Sequence, residues 1–138
     1  MIVTKTIGLH TRGDADTTDI TSDVARVVFQ SGLEAGTVTI FVPGSTGGVT
    51  TAECEPGLVA DLKALWEKLV PRDKEYQHNL RWGDGNGHSH LRAALVGASL
   101  TVPFAQTSLL LGTWQQIVFI DFDNRPRSRE LVVQIMGE

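Results

Sequence analysis

The chain has 138 residues, about the length of one domain and enough to bury roughly two-thirds of its unfolded surface. Hydrophobic residues make up 41% of the chain and charged residues 20%, which excludes a disordered acidic protein because such proteins lack the apolar side chains for a core. The formal net charge of −4 argues against a nucleic acid as partner, because surfaces that bind duplexes carry an excess of Lys and Arg.

The N-terminal part of the chain predicts a strand, a helix and a second strand. β-Branched residues alternate in residues 2–9, a pattern typical of a strand. A cap at residues 21–23 precedes apolar residues at near-helical spacing, which predicts a helix that ends near Gly32 or Gly36. Residues 37–42 read Thr-Val-Thr-Ile-Phe-Val, and this enrichment in β-branched residues predicts a strand.

A longer helix is predicted over residues 56–69. Glu55 can cap this helix, and Pro56 suits its first position, where the missing N–H breaks no hydrogen bond. The apolar side chains of this helix recur as one stripe, formed by Leu58, Leu62, Leu65, Trp66 and Leu69. We expect this stripe to pack against the core.

The C-terminal half predicts a short helix followed mostly by strands. The helix begins at Ser89 or His90 and ends at Val96. Four strands follow, at residues 99–104, 109–111, 115–122 and 130–136, with tight turns between them. Two or three helices among about seven strands predict an α+β fold. We expect a single domain over residues 1–138, with largely antiparallel sheets wrapped around a core.

The sequence does not predict a membrane or secreted protein. No segment approaches the roughly 18 consecutive apolar residues that a transmembrane helix needs, and residues 1–5 do not resemble a secretory signal. The single cysteine, Cys54, cannot form an intramolecular disulfide and suits a reducing compartment. We therefore expect a cytoplasmic protein with no membrane partner.

Three of the four histidines, His78, His88 and His90, lie close together in the sequence. Asp84 and Asn86 lie among them, in a glycine-rich stretch that can fold tightly. Three neutral imidazoles with an open fourth position suit a catalytic zinc-like ion. Such a site needs an extended backbone between the last two histidines, since on a helix they would lie about 200° apart. Solvent-exposed histidines in a polar turn are the alternative.

Two other segments can bind an anion. Residues 43–51 are rich in Gly, Ser and Thr, whose amides and hydroxyls can hold a phosphate, with a bulged turn between two strands as the alternative. Arg127 and Arg129 share a face if the chain is extended there, so together they can clamp an anion. A solvated hairpin tip is the alternative for the two arginines.

Landmarks spread over nearly the whole chain resemble the YjbQ family. They are, in order, His78, Asn86, Ser89-His90-Leu91, Leu95-Val96-Gly97-Ala98-Ser99, Leu111-Gly112-Thr113-Trp114-Gln115 and the closing Arg127, Val132-Val133 and Met136-Gly137-Glu138. The Gly-Thr-Trp-Gln segment, followed by a hydrophobic strand and Asp121, is the most specific of them. On this resemblance the chain is identified as a member of that family.

The resemblance implies a small cytoplasmic α+β protein that forms a homotrimer, with a cleft near the histidines and often a bound metal. It also implies a weak, secondary thiamine-phosphate synthase activity. That reaction joins a hydroxymethylpyrimidine diphosphate to a thiazole phosphate and releases pyrophosphate, so the substrates are small phosphorylated molecules. Arginines, hydrogen-bond donors and a divalent metal would stabilise the departing diphosphate. The metal would be zinc-like, with magnesium as a possibility for a diphosphate substrate.

Site residues follow from the resemblance position by position. His78 and His90 match family histidines, and Asn86 matches a frequent family asparagine. Gln115 belongs to the Gly-Thr-Trp-Gln segment, and Asp121 takes the place of a usual glutamate.

One departure from the family pattern concerns the metal. Gly44 stands where the family commonly has a histidine. His88 is expected to replace that ligand; otherwise His78 and His90 alone would hold the metal. The leading hypothesis is therefore a metal-dependent enzyme that acts on a small phosphorylated substrate. Its residues are His78, His88 and His90 for the metal, Asp84, Asn86, Gln115 and Asp121 for ligand orientation or proton transfer, and Ser45, Thr46 and Arg127 for phosphate. The alternative is a non-catalytic small-molecule or metal-binding protein with its site at a trimer cleft.

Overall fold

The computed structural model describes residues 1–138 as eight strands and four helices. The strands are β1 (Ile2–Thr11), β2 (Asp16–Asp19), β3 (Gly36–Phe41), β4 (Gly47–Ala52), β5 (Ser99–Ala105), β6 (Ser108–Leu109), β7 (Gln116–Asp121) and β8 (Arg127–Gly137). The helices are α1 (Thr21–Gln30), α2 (Pro56–Leu69), α3 (Gln77–Trp82) and α4 (Gly87–Val96). None of the four helices combines the length and the hydrophobicity needed to cross a bilayer.

The strands form two sheets, and all neighbouring strands in both are antiparallel. The larger sheet has the order β1-β8-β3-β5-β6, and the smaller has the order β2-β7-β4. The predicted α+β fold with antiparallel sheets is therefore confirmed, although it contains four helices rather than two or three.

Strand β7 is buried on both faces. Its residues Ile117 and Phe119 belong to the main core, which fills the space between the two sheets and α1. Val118 and Ile120 point the other way and join Phe122 in a second core, against which α2 and α4 pack. A strand that is buried on both faces has an uninterrupted hydrophobic sequence. For this reason β7 was predictable from the sequence.

The inner faces of the two sheets change from apolar to charged at the same end of the molecule. On β8 the core residue Leu131 is preceded, on the same face, by Arg129 and Arg127, because every second residue of a strand shares a face. On β7 the core residue Phe119 is followed in the same way by Asp121. The arginines and the aspartate therefore meet at the open end of the space between the sheets.

Helix α2 begins where the sequence predicts, but it is not buried as expected. The Glu55 carboxylate accepts hydrogen bonds from backbone N–H groups of the first turn, as expected of a cap. No side chain of α2 is fully buried, and Leu65 and Leu69 are 42% and 58% exposed. Only one edge of the helix packs on the domain, where the Trp66 ring contacts the Phe122 ring with centroids 5.3 Å apart.

Three short elements escape sequence prediction. Strand β2 and helix α3 are four and six residues long and contain mostly polar residues, so neither shows a hydrophobic period. Strand β4 lies within the glycine-rich segment that predicts an anion-binding loop or a bulged turn. Its Gly47 is required by packing, because a Cβ there would lie 2.8 Å from the Phe119 ring.

Candidate functional site

A polar cavity of about 590 Å³ lies at the charged end of the two sheets. It is lined by Pro43, Gly44, Ser45, Thr46, Asp84, Asn86, His90, Asp123, Asn124, Arg125, Arg127 and Arg129, and none of these side chains is hydrophobic. Four parts of the chain meet here: the β3–β4 connection, the segment that leads into α4, the β7–β8 connection and the start of β8. Most of the sequence-predicted site residues are therefore close to one another.

A buried ion pair forms the floor of this cavity. Arg129 donates two hydrogen bonds to the Asp121 carboxylate, from Nε to Oδ2 and from Nη2 to Oδ1, each 2.8 Å long. The same carboxylate accepts hydrogen bonds from the Thr11 hydroxyl at 2.6 Å and from the Asp123 backbone N–H at 3.0 Å. Asp121 is completely buried and does not line the cavity. Its contacts give it the role of positioning Arg129.

The pKa values of this pair reflect the pairing. Burial by itself raises the pKa of Asp121, but hydrogen bonds from Arg129, Thr11 and the Asp123 backbone outweigh it, so the pKa of the carboxyl lies below its ordinary value. The hydrogen bonds to Asp121 raise the pKa of Arg129 above its ordinary value. Both groups are therefore charged at neutral pH.

Donors on the cavity wall remain free to bind an anion. Arg125 makes no ion pair, whereas Arg127 forms an ion pair with Asp123 (Nε to Oδ2, 3.3 Å) without donating a hydrogen bond to it. The exposed Ser45 hydroxyl has no hydrogen-bond partner in the chain. Nη1 of Arg129 is also free of partners, and a Cβ at Gly44 would lie 3.3 Å from it. The missing side chain at Gly44 leaves this edge of the guanidinium uncovered.

Asp123 also belongs to the site, and sequence analysis missed it. Its Oδ2 accepts a hydrogen bond from the Thr46 hydroxyl at 3.1 Å, while its buried Oδ1 has no partner in the chain. A buried acceptor without a donor costs about 1–3 kcal/mol. The charge of the Asp123 carboxylate is compensated by Arg127 and Arg129, whose Nε and Nη2 atoms lie 3.3 and 4.0 Å from Oδ2. Asp123 shares its strand face with Asp121 and precedes the arginines, and this pattern is the signal that could have found it.

His90 lines the cavity and lies beside His78. The two imidazole centroids are 4.2 Å apart and the rings are tilted by 39°. Nδ1 of His78 lies 3.6 Å from an Asp84 carboxylate oxygen. Burial lowers the pKa of His90, the positive potential of His78 lowers it further, and Asp84 and Asp123 only partly oppose this. His90 is therefore a neutral imidazole at pH 7, able to accept a proton.

His88 does not join the other two histidines, so the predicted three-histidine metal site is not formed. Residues 87–96 form a helix, which places His88 and His90 about 200° apart around its axis. His88 is 1% exposed and faces the interior. Burial lowers its pKa, and nearby Arg92 lowers it further. No group of three His, Cys, Asp or Glu side chains converges on one point.

The two remaining histidines do not fit a zinc-like ion by themselves. A zinc-like ion is held by three or four protein ligands, and two tilted imidazoles supply only two of them. A third protein ligand is missing, since Asp84 contacts His78 but completes no cluster. A resident zinc-like ion therefore has no suitable donor set here.

The side chains of Asn86 and Gln115 form structural hydrogen bonds within the chain. The Asn86 side-chain oxygen accepts hydrogen bonds from the Ser89 hydroxyl at 2.5 Å and from the Asn124 backbone N–H at 3.2 Å, which ties α4 to the β7–β8 connection. Gln115 precedes β7, whereas Asp121 ends it, so the two lie about 20 Å apart along the strand. Gln115 donates to Thr51 at 3.1 Å and does not line the polar cavity.

Two smaller hollows flank His90. One, of about 330 Å³, shares Gly44, Ser45 and His90 with the polar cavity. The other, of about 430 Å³, shares only His90 with it and is lined by Tyr76, His78 and Leu91 among others. The imidazole of His90 therefore stands where three cavities meet.

Comparison with known families shows to which family the chain belongs. The family description "UPF0047 protein YjbQ-like" matches residues 5–138. The chain belongs to this family. It is 39% identical to a UPF0047 protein of Methanothermobacter thermautotrophicus over 137 residues, which are 99% of this chain and 94% of that protein. The UPF0047 protein YugU of Bacillus subtilis is 31% identical and covers 96% of this chain and 98% of its own length.

Solved structures of the YjbQ family share the fold. A YjbQ-type protein of unknown function from Sulfolobus solfataricus superposes with a TM-score of 0.94 at 32% identity, covering 100% of this chain and 99% of that chain. A YjbQ/UPF0047 family protein from Clostridium acetobutylicum gives a TM-score of 0.87 at 33% identity, with 96% and 99% of the two chains covered. The predicted family membership is confirmed.

Proposed function

We propose that this YjbQ-like protein binds a small phosphorylated molecule in the polar cavity and acts on it as an enzyme. The observation that carries the proposal is the set of donors on one wall: the guanidinium of Arg125, that of Arg127, which is ion-paired with Asp123, the free edge of Arg129 and the Ser45 hydroxyl. Guanidinium groups bind phosphate oxygens through paired, charge-assisted hydrogen bonds. A cavity without hydrophobic side chains suits the charged part of such a ligand.

The buried ion pair supports this assignment. Arg129 is held in one orientation by Asp121, so its free Nη1 is fixed before a ligand arrives. A donor that is already positioned loses less conformational entropy on binding. Arg127 forms an ion pair with Asp123 (Nε to Oδ2, 3.3 Å) but donates no hydrogen bond to it, so its N–H groups can serve a phosphate.

A binding experiment tests the phosphate site. We expect isothermal titration calorimetry to show that Arg127→Gln weakens the binding of inorganic pyrophosphate by about tenfold or more, the value of one charge-assisted hydrogen bond. Arg26→Gln is the matched control, because Arg26 is exposed on α1 and pairs only with Asp23. Equal affinities for Arg127→Gln and the native chain would remove the phosphate site from this cavity.

The proposed reaction is the thiamine-phosphate synthase-like transfer that the family resemblance suggests. His90 supports a catalytic role, because the N–H of a neutral imidazole at the cavity wall can donate a hydrogen bond to the departing diphosphate, while the attacking thiazole nitrogen has no proton to lose. The proposal includes no resident zinc-like ion, and magnesium would enter with a diphosphate substrate. We expect His90→Ala to bind pyrophosphate but to form no thiamine phosphate from hydroxymethylpyrimidine diphosphate and thiazole phosphate.

The alternative, a non-catalytic binding protein, predicts a different result. The native chain would then bind pyrophosphate, and Arg127→Gln would weaken that binding, but no product would form with or without magnesium. Product analysis of the native chain therefore separates the two functions.

We also propose that the protein is a cytoplasmic homotrimer. The trimer is suggested by the family resemblance and supported by large apolar side chains that the single chain leaves in solvent. Trp82 and Trp114 are 65% and 73% exposed, and Leu80 and Leu95 are each 62% exposed. Exposed aromatic and aliphatic groups of this size are characteristic of surfaces that another molecule covers.

A further inference from the structure

The polar cavity continues into a second hollow of different chemistry. The two share Gly44, Ser45 and His90 in their linings, so they adjoin along these three residues. Beyond these shared residues the hollow is lined only by small residues, which are Gly47, Ala93, Ala94, Gly97 and Ala98. The lining therefore changes from arginine and aspartate on one side to methyl groups and bare backbone on the other.

The small residues leave this space open. Ala93 and Ala94 belong to α4, one turn after His90, and Gly97 ends the same helix. A Cβ at Gly97 would contact nothing within 4 Å, so the space above it is free. At Gly44 the missing side chain keeps the passage open between the hollow and Arg129. The volume of about 330 Å³ is enough for one compact organic group.

We propose that this hollow is the subsite for the organic part of the phosphorylated ligand, and that Ala94 determines the size of the group it accepts. This inference rests on the proposed phosphate site, because the phosphate fixes one end of the ligand at the arginines. The ligand class is a phosphate ester whose organic part is compact and largely apolar. It bends across His90 and packs on the alanine face of α4.

Continuity favours this hollow over the one beside His78. The hollow of about 430 Å³ touches the polar cavity only at His90, whose ring stands between them. The alanine-lined hollow instead meets the cavity along Gly44, Ser45 and His90. A short ester bond between the phosphate and the organic group can directly span the boundary between the polar cavity and the alanine-lined hollow.

The test compares inorganic phosphate with phenyl phosphate, two probes that differ by one apolar ring. We expect the native chain to bind phenyl phosphate about tenfold more tightly in isothermal titration calorimetry, because the ring leaves water on entering the hollow. Ala94→Leu should remove this advantage and leave the affinity for inorganic phosphate unchanged. Ala94 is exposed, so the larger side chain should not disturb folding. Ala94→Gln, which fills the hollow with a polar chain, should give the same result.

Two control variants make the outcomes distinguishable. Arg26→Gln lies on α1, is exposed and does not line the hollow, so it should keep the advantage of phenyl phosphate. Leu91→Asn changes the hollow beside His78 and should also keep it. Equal binding of the two probes by the native chain would overturn the subsite while leaving the phosphate site intact. Loss of the advantage in Leu91→Asn, or its persistence in both Ala94 variants, would also overturn it. Failure of both probes to bind would overturn the phosphate site and this inference together.

Discussion

Asp121 shows how the charge of one buried residue depends on a single neighbour. Its carboxylate has no contact with solvent, and Arg129 supplies two of its four hydrogen bonds. Removing one partner of a buried ion pair leaves the other charge uncompensated. We therefore expect Arg129→Gln to lower the free energy of unfolding at pH 7 by about 3–5 kcal/mol in urea denaturation.

The pH dependence of this effect has a definite sign. The pKa of Asp121 is lowered in the folded state, so its stabilisation is complete above the ordinary value of 3.8 and is lost as the pH falls through the folded value. In Arg129→Gln the Asp121 carboxylate is buried without its cation. Protonation at low pH neutralises this uncompensated charge. The difference in unfolding free energy between the native chain and Arg129→Gln should therefore shrink as the pH falls. A difference that is small at pH 7, or that does not change with pH, would contradict the role of the pair.

At the residue scale, the sequence predicted which residues are near the cavity better than what each one does. Arg127 and Ser45 line the cavity, and their role as phosphate ligands stays a prediction. Asp121 is buried beneath the cavity and does not line it. The sequence does not predict this, because the burial depends on the packing of two sheets, which no local pattern reveals. His88 does not reach the cavity, and the reason is simpler. The helix period places its side chain inward when that of His90 faces outward.

At the scale of elements, Arg92 joins two helices. Its buried side chain donates from Nε and Nη2 to the Val70 carbonyl, at 3.0 and 2.9 Å, and from Nη2 to Glu67 at 2.9 Å. Val70 follows the last residue of α2, so this contact fixes the end of α2 against α4. The carbonyl groups at a helix end have no partner within the helix and need donors from elsewhere.

We expect Arg92→Met to destabilise the protein by about 1–3 kcal/mol, because the Val70 carbonyl would lose both donors in a buried place. Amide hydrogen exchange should show faster exchange in the last turn of α2. Glu67→Gln is the matched control and should cost less than about 1 kcal/mol, because the Glu67 side chain is 57% exposed. Equal losses in the two variants would mean that the ion pair, rather than the carbonyl, provides the stability.

Elements with a strong local pattern were predicted well. Helix α2 and strand β7 have a hydrophobic period or an uninterrupted apolar sequence, and their bounds differ from the prediction by one residue at most. The prediction that the whole apolar stripe of α2 packs against the core was wrong. The stripe is wider than the surface of the small sheet that it covers. Strand β4 was missed because its glycines are selected by contact with Phe119 and Val96, which are distant in the sequence.

At the scale of the whole molecule, the prediction concerns assembly. We expect light scattering to give three times the 15.0 kDa mass of one chain. Trp114→Ser should lower that mass if the side chain, 73% exposed in a single chain, lies in the contact between copies. The variant should remain folded, because Trp114 belongs to neither core. A monomer mass for the native chain would contradict the trimer.

The strand order of the larger sheet also determines when during synthesis the fold can form. Strand β8 is the last element of the chain, yet it lies between β1 and β3 and pairs with both. Until β8 leaves the ribosome, β1 has no partner strand, and the charged end of β8 cannot meet β7. Pairing of such distant segments slows folding, because a long loop has to close before any contact forms. The arginines of the cavity are therefore among the last groups to reach their places, and until β8 pairs with it β1 has an unpaired edge of the kind that promotes aggregation.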